Sequence, residues 1–157
     1  MPESLKLERE FPADPARVFR AWTEPIELAR WAWGKLGHSV TAQVDLRPGG
    51  EFRVSTTRPD GSVWSFSGTY LEVDPERRLA HTLRWDAPMG YPPAEESVTV
   101  EFSPSSKGTK VAFVHDGIPD AASRDGHDRG WSHTFDVLHG RLESEQAAHG
   151  AAPESLC

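Results

Sequence analysis

Histidines and aspartates crowd the C-terminal third of the chain: His115, Asp116, Asp125, His127, Asp128, His133, Asp136 and His139. Such residues bind metals or move protons, and their spacing decides which. On a helix His127 and His133 point in different directions, no histidine pair stands four apart, and no His-Glu-x-x-His run exists. The segment therefore reads as a solvated helix face, and no metal site is assigned. Ser, His and Asp are all present, but no Gly-x-Ser-x-Gly elbow follows a strand, and the sole cysteine is Cys157, so nucleophilic catalysis has no motif behind it. Gly49-Gly50 and Asp60-Gly61 fall between strand patterns, whereas a phosphate loop needs a strand running into a helix N-terminus. Nothing calls for a cofactor, and no catalytic residue is assigned.

The remaining chemistry is aromatic. The chain holds 6 Trp and 7 Phe, large rigid side chains suited to walling an apolar cavity. Strand parity and helical spacing place Phe52, Val54, Trp64, Phe66, Trp85, Phe113, Trp131 and Phe135 toward one interior. With His115, which ends the last strand, they form the candidate ligand-binding set. The competing reading is that the same rings only pack the core. His38, His81 and His115 share parity with apolar neighbours and are candidates for an inward hydrogen bond. Arg9 shares parity with Leu5, Leu7 and Phe11, so it needs a carboxylate or anionic partner, or a place at the rim.

Elements must carry these residues to one place. At 157 residues and 37% hydrophobic composition, the chain is sized for one domain with its own core. Lys plus Arg number 17 against 24 Asp plus Glu, a net charge of −7 that argues against a nucleic-acid surface. No apolar run approaches the roughly 20 residues of a membrane span. Met1 to Ser4 show no basic cluster leading into an apolar stretch, so the expected location is cytoplasmic.

Leu5, Leu7 and Phe11 alternate with charged residues as a first strand. Asp14-Pro15 is a helix start, and Pro25 restarts a second short helix bearing Leu28 and Trp31. From Val40 onward period-two alternation returns six times: Val40 to Leu46, Phe52 to Thr56, Trp64 to Tyr70, Leu79 to Trp85, Val98 to Phe102, and Val111 to His115. A Pro-rich loop lies at Ala87 to Pro93. After Pro119, with Asp120 or Ser123 as cap, Trp131, Phe135, Leu138 and Leu142 recur at steps of four, three and four. The fold class is α+β: about seven antiparallel strands curved around a long C-terminal helix, with two short helices after the first strand. One domain is expected over residues 1–143, with a flexible tail over residues 144–157, rich in Ala, Glu, Ser and Gly.

Four stretches carry a family resemblance: FRAWTEPIELARW (Phe19 to Trp31), DLRPGGEFR (Asp45 to Arg53), PDGSVWSFSGTYLEVDPERRLAHTLRW (Pro59 to Trp85) and HDGIPDAASRDGHDRGWSHTFDVL (His115 to Leu138). In order and spacing the chain resembles the bacterial proteins related to the C-terminal domain of the activator of heat-shock protein 90 ATPase, within the START-like (SRPBCC) helix-grip superfamily. The chain departs from the family pattern where Ala32 separates Trp31 from Trp33, since members usually carry two adjacent tryptophans before Gly. The resemblance implies a sheet gripping the C-terminal helix around an apolar cavity.

It also implies the expected function: binding of a small hydrophobic or aromatic molecule without an assigned reaction. One alternative is a polyketide cyclase- or dehydratase-like enzyme using the same cavity, with His115, Glu101 or Tyr70 as its acid–base group. The other is a stress-related co-chaperone or interaction module. The separate chaperone-binding domain of the eukaryotic activators has no counterpart in these residues, which argues against chaperone contact. A homodimer through aromatics near Trp31, Trp33 and Tyr91 is a further option.

Overall fold

The structure, a computed structural model, describes residues 2–34, 39–86 and 94–155. Strand β1 (Glu3–Phe11) is followed by helices α1 (Pro15–Thr23) and α2 (Pro25–Trp31). Strands β2 (Val40–Val44), β3 (Glu51–Thr57), β4 (Val63–Asp74), β5 (Arg78–Trp85), β6 (Glu96–Ser105) and β7 (Gly108–Ile118) come next, and α3 (Ala121–Ser155) ends the fold. His38, Tyr91 and the loop of residues 87–93 lie outside the described residues.

The strands form one seven-stranded sheet in the order β1-β7-β6-β5-β4-β3-β2. Consecutive strands pair as antiparallel neighbours, while β1 pairs with β7, so the α1–α2 segment spans the sheet from one edge to the other. Alternation along each strand puts Phe52, Val54 and Thr56 of β3 and Val98, Val100 and Phe102 of β6 on the buried face.

The helix starts follow from their caps. Asp14 Oδ1 accepts the Arg17 N–H at 2.9 Å, with Pro15 at the first position of α1. Asp120 Oδ1 accepts the Ser123 N–H at 2.7 Å at the start of α3. The stripe Phe135, Leu138 and Leu142 of α3 is buried against the sheet. The helix continues through residue 144, where a tail was expected to begin, and ends at Ser155.

Leu46 departs from its expected place in the inward row. β2 ends at Val44, and the Arg47 N–H bonds to the Asp45 carbonyl at 2.9 Å, turning the chain off the sheet so that Leu46 is exposed. Trp31 and Trp33, offered above as a dimer surface, are instead buried within this chain. Trp31 Nε1–H donates to the Ala21 carbonyl at 2.9 Å, and its ring meets Trp22 at 4.7 Å between centroids. Arg9 finds its carboxylate: Nη1 lies 2.7 Å from Asp136 Oδ1 on α3, a partly exposed pair at the rim. Among the described residues, no helix is long and apolar enough to cross a membrane.

Candidate functional site

The space between sheet and helix is filled at one end and open at the other. Toward β1, β6 and β7 the core is solid: Phe11, Trp22, Phe102, Phe113 and Phe135 meet one another at centroid distances of 5.2–6.3 Å, mostly edge to face. Toward β3, β4 and β5, with α2 and the first turns of α3, a cavity of about 260 Å³ remains.

Its floor is Phe52, Phe66, Tyr70, Leu79 and His81 on the sheet. Trp64 and Trp85 stand at its side, Trp22, Leu28 and Trp31 come from α1 and α2, and Trp131, His127, His133 and Thr134 come from α3. Gly126 and Gly130, one turn apart on α3, also border it; Gly130 is exposed, and a Cβ there would have nothing within 4 Å among the described residues, which leave an opening at this turn. A larger hollow of about 410 Å³, lined by Gln43, Asp45, Arg53, Thr69 and Arg84, lies on the outward face of β2–β5 and is polar surface.

Of the residues singled out as ligand contacts, Phe52, Trp64, Phe66, Trp85 and Trp131 line the cavity. Val54, Phe113, His115 and Phe135 face inward but are packed into the core and do not reach the cavity wall. Trp33 also lines the cavity. It is held at φ 69°, a left-handed conformation that costs a non-glycine residue about 1–3 kcal/mol. Its ring packs against Phe66 at 5.3 Å, Trp85 at 6.3 Å and Trp64 at 6.4 Å, and its Nε1–H has no hydrogen-bond partner among the described residues.

Behind Trp85 and Trp131 lies a buried polar cluster. His115 Nε2 is 2.7 Å from Glu96 Oε1, and His127 Nε2 is 3.4 Å from the same oxygen; all three residues are buried. The rings of His115 and His127 lie face to face, 5.0 Å apart and 6° from parallel, and Trp85 stacks on His127 at 5.0 Å. Trp131 Nε1–H donates to His115 Nδ1 at 3.0 Å. An indole nitrogen only donates, so His115 Nδ1 is the acceptor and its proton sits on Nε2, where it is given to Glu96.

Burial lowers the His115 pKa despite the opposing pull of Glu96, and the ring stays neutral. Burial alone would raise the Glu96 carboxyl. The hydrogen bond from His115, with the His127 ring also close to the same oxygen, outweighs it and holds the group below its ordinary value.

The ligand atoms of Glu96, His115 and His127 lie within 4.8 Å of one another. A metal would need the bare lone pair of His115 Nε2, yet Trp131 already claims the other nitrogen as acceptor. The donor set fits a carboxylate shared between two imidazoles and does not fit a resident metal.

This cluster corrects the reading of the C-terminal third. His127 is a core residue and not part of a solvated face. It stands four before Trp131 and so extends the apolar stripe of α3, a signal already present in the spacing. Glu96, unremarked in the sequence, shares the parity of Val98, Val100 and Phe102. Glu101, a candidate acid in the enzymatic alternative, faces outward and pairs with Arg78 at 3.2 Å. His115 has both ring nitrogens engaged within the protein and offers neither to a bound molecule.

A curved antiparallel sheet closed by one long terminal helix, with a cavity between them, defines a helix-grip protein of the START-like class. A family model described as Activator of Hsp90 ATPase homolog 1-like protein matches residues 12–143, and the chain belongs to that family. Among solved structures, the chain is similar to a Chromobacterium violaceum protein at 29% identity and a TM-score of 0.74, covering 89% of this chain and 97% of that one. A Nitrosomonas europaea protein is 30% identical with a TM-score of 0.69, covering 92% and 96% respectively. An AHSA1-like protein from Aeromonas hydrophila is 25% identical with a TM-score of 0.75, covering 92% and 94%. No match is found among curated proteins.

Proposed function

We propose that this protein binds a small aromatic or apolar molecule in the cavity between its sheet and α3. The observation that carries the reading is the cavity itself: about 260 Å³ left unfilled between tryptophans and phenylalanines from α2, the sheet and α3. An apolar cavity of roughly 150 Å³ is enough to take benzene, so this one suits a ligand of one or two fused rings. An empty hollow forfeits packing contacts, and a fold filled at one end but open at the other is built to recover them from a guest.

Thermal unfolding in the presence of naphthalene-sized compounds tests the reading. Binding should raise the melting temperature in a concentration-dependent way, by about 2.7 kcal/mol of stabilisation at a hundredfold excess over Kd. No shift with any such compound up to its solubility would overturn it.

The cyclase-like alternative has one observation in its favour: His127, backed by Glu96, stands at the cavity wall. A proton-transfer activity lost in His127→Gln while ligand binding persists would establish it.

A further inference from the structure

The cavity wall is mostly aromatic and aliphatic; its polar side chains are His127, His133 and Thr134 on α3 and, at the opposite wall, a pair where β4 meets β5. There Tyr70 and His81 are paired across the two strands, both line the cavity, and their rings stand edge to face at 6.0 Å. Phe52 covers them both, its ring 5.2 Å from Tyr70 and 4.7 Å from His81. Tyr70 is 2% exposed and His81 8%.

The hydrogen bonding of this pair is half made. His81 Nδ1 lies 2.7 Å from the Thr82 carbonyl oxygen. A carbonyl can only accept, so Nδ1 carries the proton and Nε2 of the neutral ring presents a lone pair. Burial drives the His81 pKa down to about 4, which keeps the ring neutral at physiological pH. Burial likewise raises Tyr70, so its hydroxyl keeps its proton. Among the described residues, neither the Tyr70 hydroxyl nor His81 Nε2 has a hydrogen-bond partner. A donor and an acceptor on neighbouring rings that line the cavity are thus left with unused hydrogen-bonding capacity, which a guest molecule can take up.

We propose that Tyr70 and His81 form the polar end of the cavity and select a neutral aromatic ligand bearing a hydroxyl group. The ligand oxygen accepts from Tyr70 Oη–H and donates its own proton to His81 Nε2. This rests on the cavity-binding reading above and narrows it to phenol-like molecules. One hydroxyl satisfies both protein atoms at once, because it is donor and acceptor on a single atom. An aromatic hydrocarbon satisfies neither. An aromatic carboxylate can accept from Tyr70 but has no proton for His81, and the described cavity wall holds no Lys or Arg to balance its charge.

The test uses wild-type protein and three probes of one size: naphthalene, 2-naphthol and 2-naphthoate, titrated by quenching of tryptophan fluorescence. The expected order has 2-naphthol binding about tenfold more tightly than naphthalene, with 2-naphthoate weaker than 2-naphthol. Tyr70→Phe, which keeps the ring and removes only the hydroxyl, should weaken 2-naphthol about fivefold and leave naphthalene unchanged.

Equal affinity for 2-naphthol and naphthalene, preference for 2-naphthoate, or equal losses for both neutral probes in Tyr70→Phe would each overturn this assignment while leaving the binding cavity standing. Failure of all three probes to bind would overturn both the cavity reading and the assignment built on it.

Discussion

Trp131 Nε1–H donates to His115 Nδ1 at 3.0 Å, joining the cavity wall to the buried carboxylate of Glu96. Because the indole N–H cannot reverse its role, the proton of His115 is held on Nε2 and its lone pair on Nδ1. Trp131→Phe keeps an aromatic ring in the wall but removes this constraint. The variant should lose about 1 kcal/mol of stability by urea unfolding. Long-range proton–nitrogen NMR should show a single Nε2-protonated form for His115 in the wild type and a mixture of tautomers in the variant. A single unchanged tautomer in both would mean that Glu96 alone sets it.

Acid should destabilise the protein through its buried histidines before its carboxylates. His81 and His115 have folded pKa values below the ordinary 6.5. As the pH falls below that value the unfolded chain takes up protons that the folded state refuses. Their contribution is therefore complete above pH 6.5 and is lost on acidification, for His81 down to about pH 4. The slope is at most about 1.4 kcal/mol per pH unit for each histidine. Glu96, depressed from 4.5, acts in the same sense at lower pH: its contribution is complete above 4.5 and is lost as pH falls through its folded value. Urea midpoints measured from about pH 7 to about pH 4 should fall continuously, and His81→Phe should flatten the upper part of the curve. A flat wild-type profile between those limits would contradict the burial of neutral imidazoles.

Glu96→Ala should be far more damaging than Glu96→Gln. Alanine leaves His115 Nε2–H with no acceptor in the core and opens a hole beside two stacked rings. A loss of about 3 kcal/mol is expected, as for a broken buried pair. Glutamine retains an oxygen for His115 and removes the buried charge, so its loss should be smaller at neutral pH and its stability should depend less on pH below about 4.5. Equal losses in the two variants, read from chemical denaturation, would show that the carboxylate is not what the histidines hold.

Period-two alternation made the strands legible, as did Asp14 and Asp120 for the helix starts and the Trp131 to Leu142 steps for the face of α3. Parity tells which side of the sheet a residue faces but not how closely the helix lies over it. That is why Phe113 and Phe135, inward as expected, are sealed in the solid end, while Phe66 and Trp85 reach open space. Glu96 and His127 were hidden for a different reason. An inward carboxylate is plausible only once its partners are known, and these come from β7 and α3, far along the chain. Leu71 interrupts the register between β4 and β5, and the pairing resumes beyond it with Glu72 against Ala80, a bulge that no spacing rule announces.

Gly68 underlies the polar end of the cavity. A Cβ there would collide with the Thr82 carbonyl oxygen, the same atom that takes the His81 Nδ1 proton, and would stand 2.8 Å from Phe52 Cε1. β5 approaches β4 this closely only because position 68 lacks a side chain. Gly68→Ala should therefore cost about 2 kcal/mol. By displacing Thr82 it should also release His81 from its fixed tautomer, visible in the imidazole nitrogen shifts. A variant as stable as the wild type would mean that the two strands separate without penalty.

Gly130 offers the converse experiment, because its missing side chain leaves room and strains nothing. Among the described residues nothing lies within 4 Å of a Cβ built there, and the residue is exposed at the border of the cavity. In a helix interior glycine costs about 1 kcal/mol relative to alanine, so Gly130→Ala should stabilise the protein by roughly that amount. Gly130→Trp should keep the fold yet fill the opening beside Trp131 and His133. The variant should then show a melting temperature close to the wild type, but lose the shift produced by 2-naphthol or take it up far more slowly in stopped-flow fluorescence. Unchanged uptake kinetics would place the entrance away from this turn of α3, since a bulky ring at position 130 cannot leave a mouth bordered by that residue open.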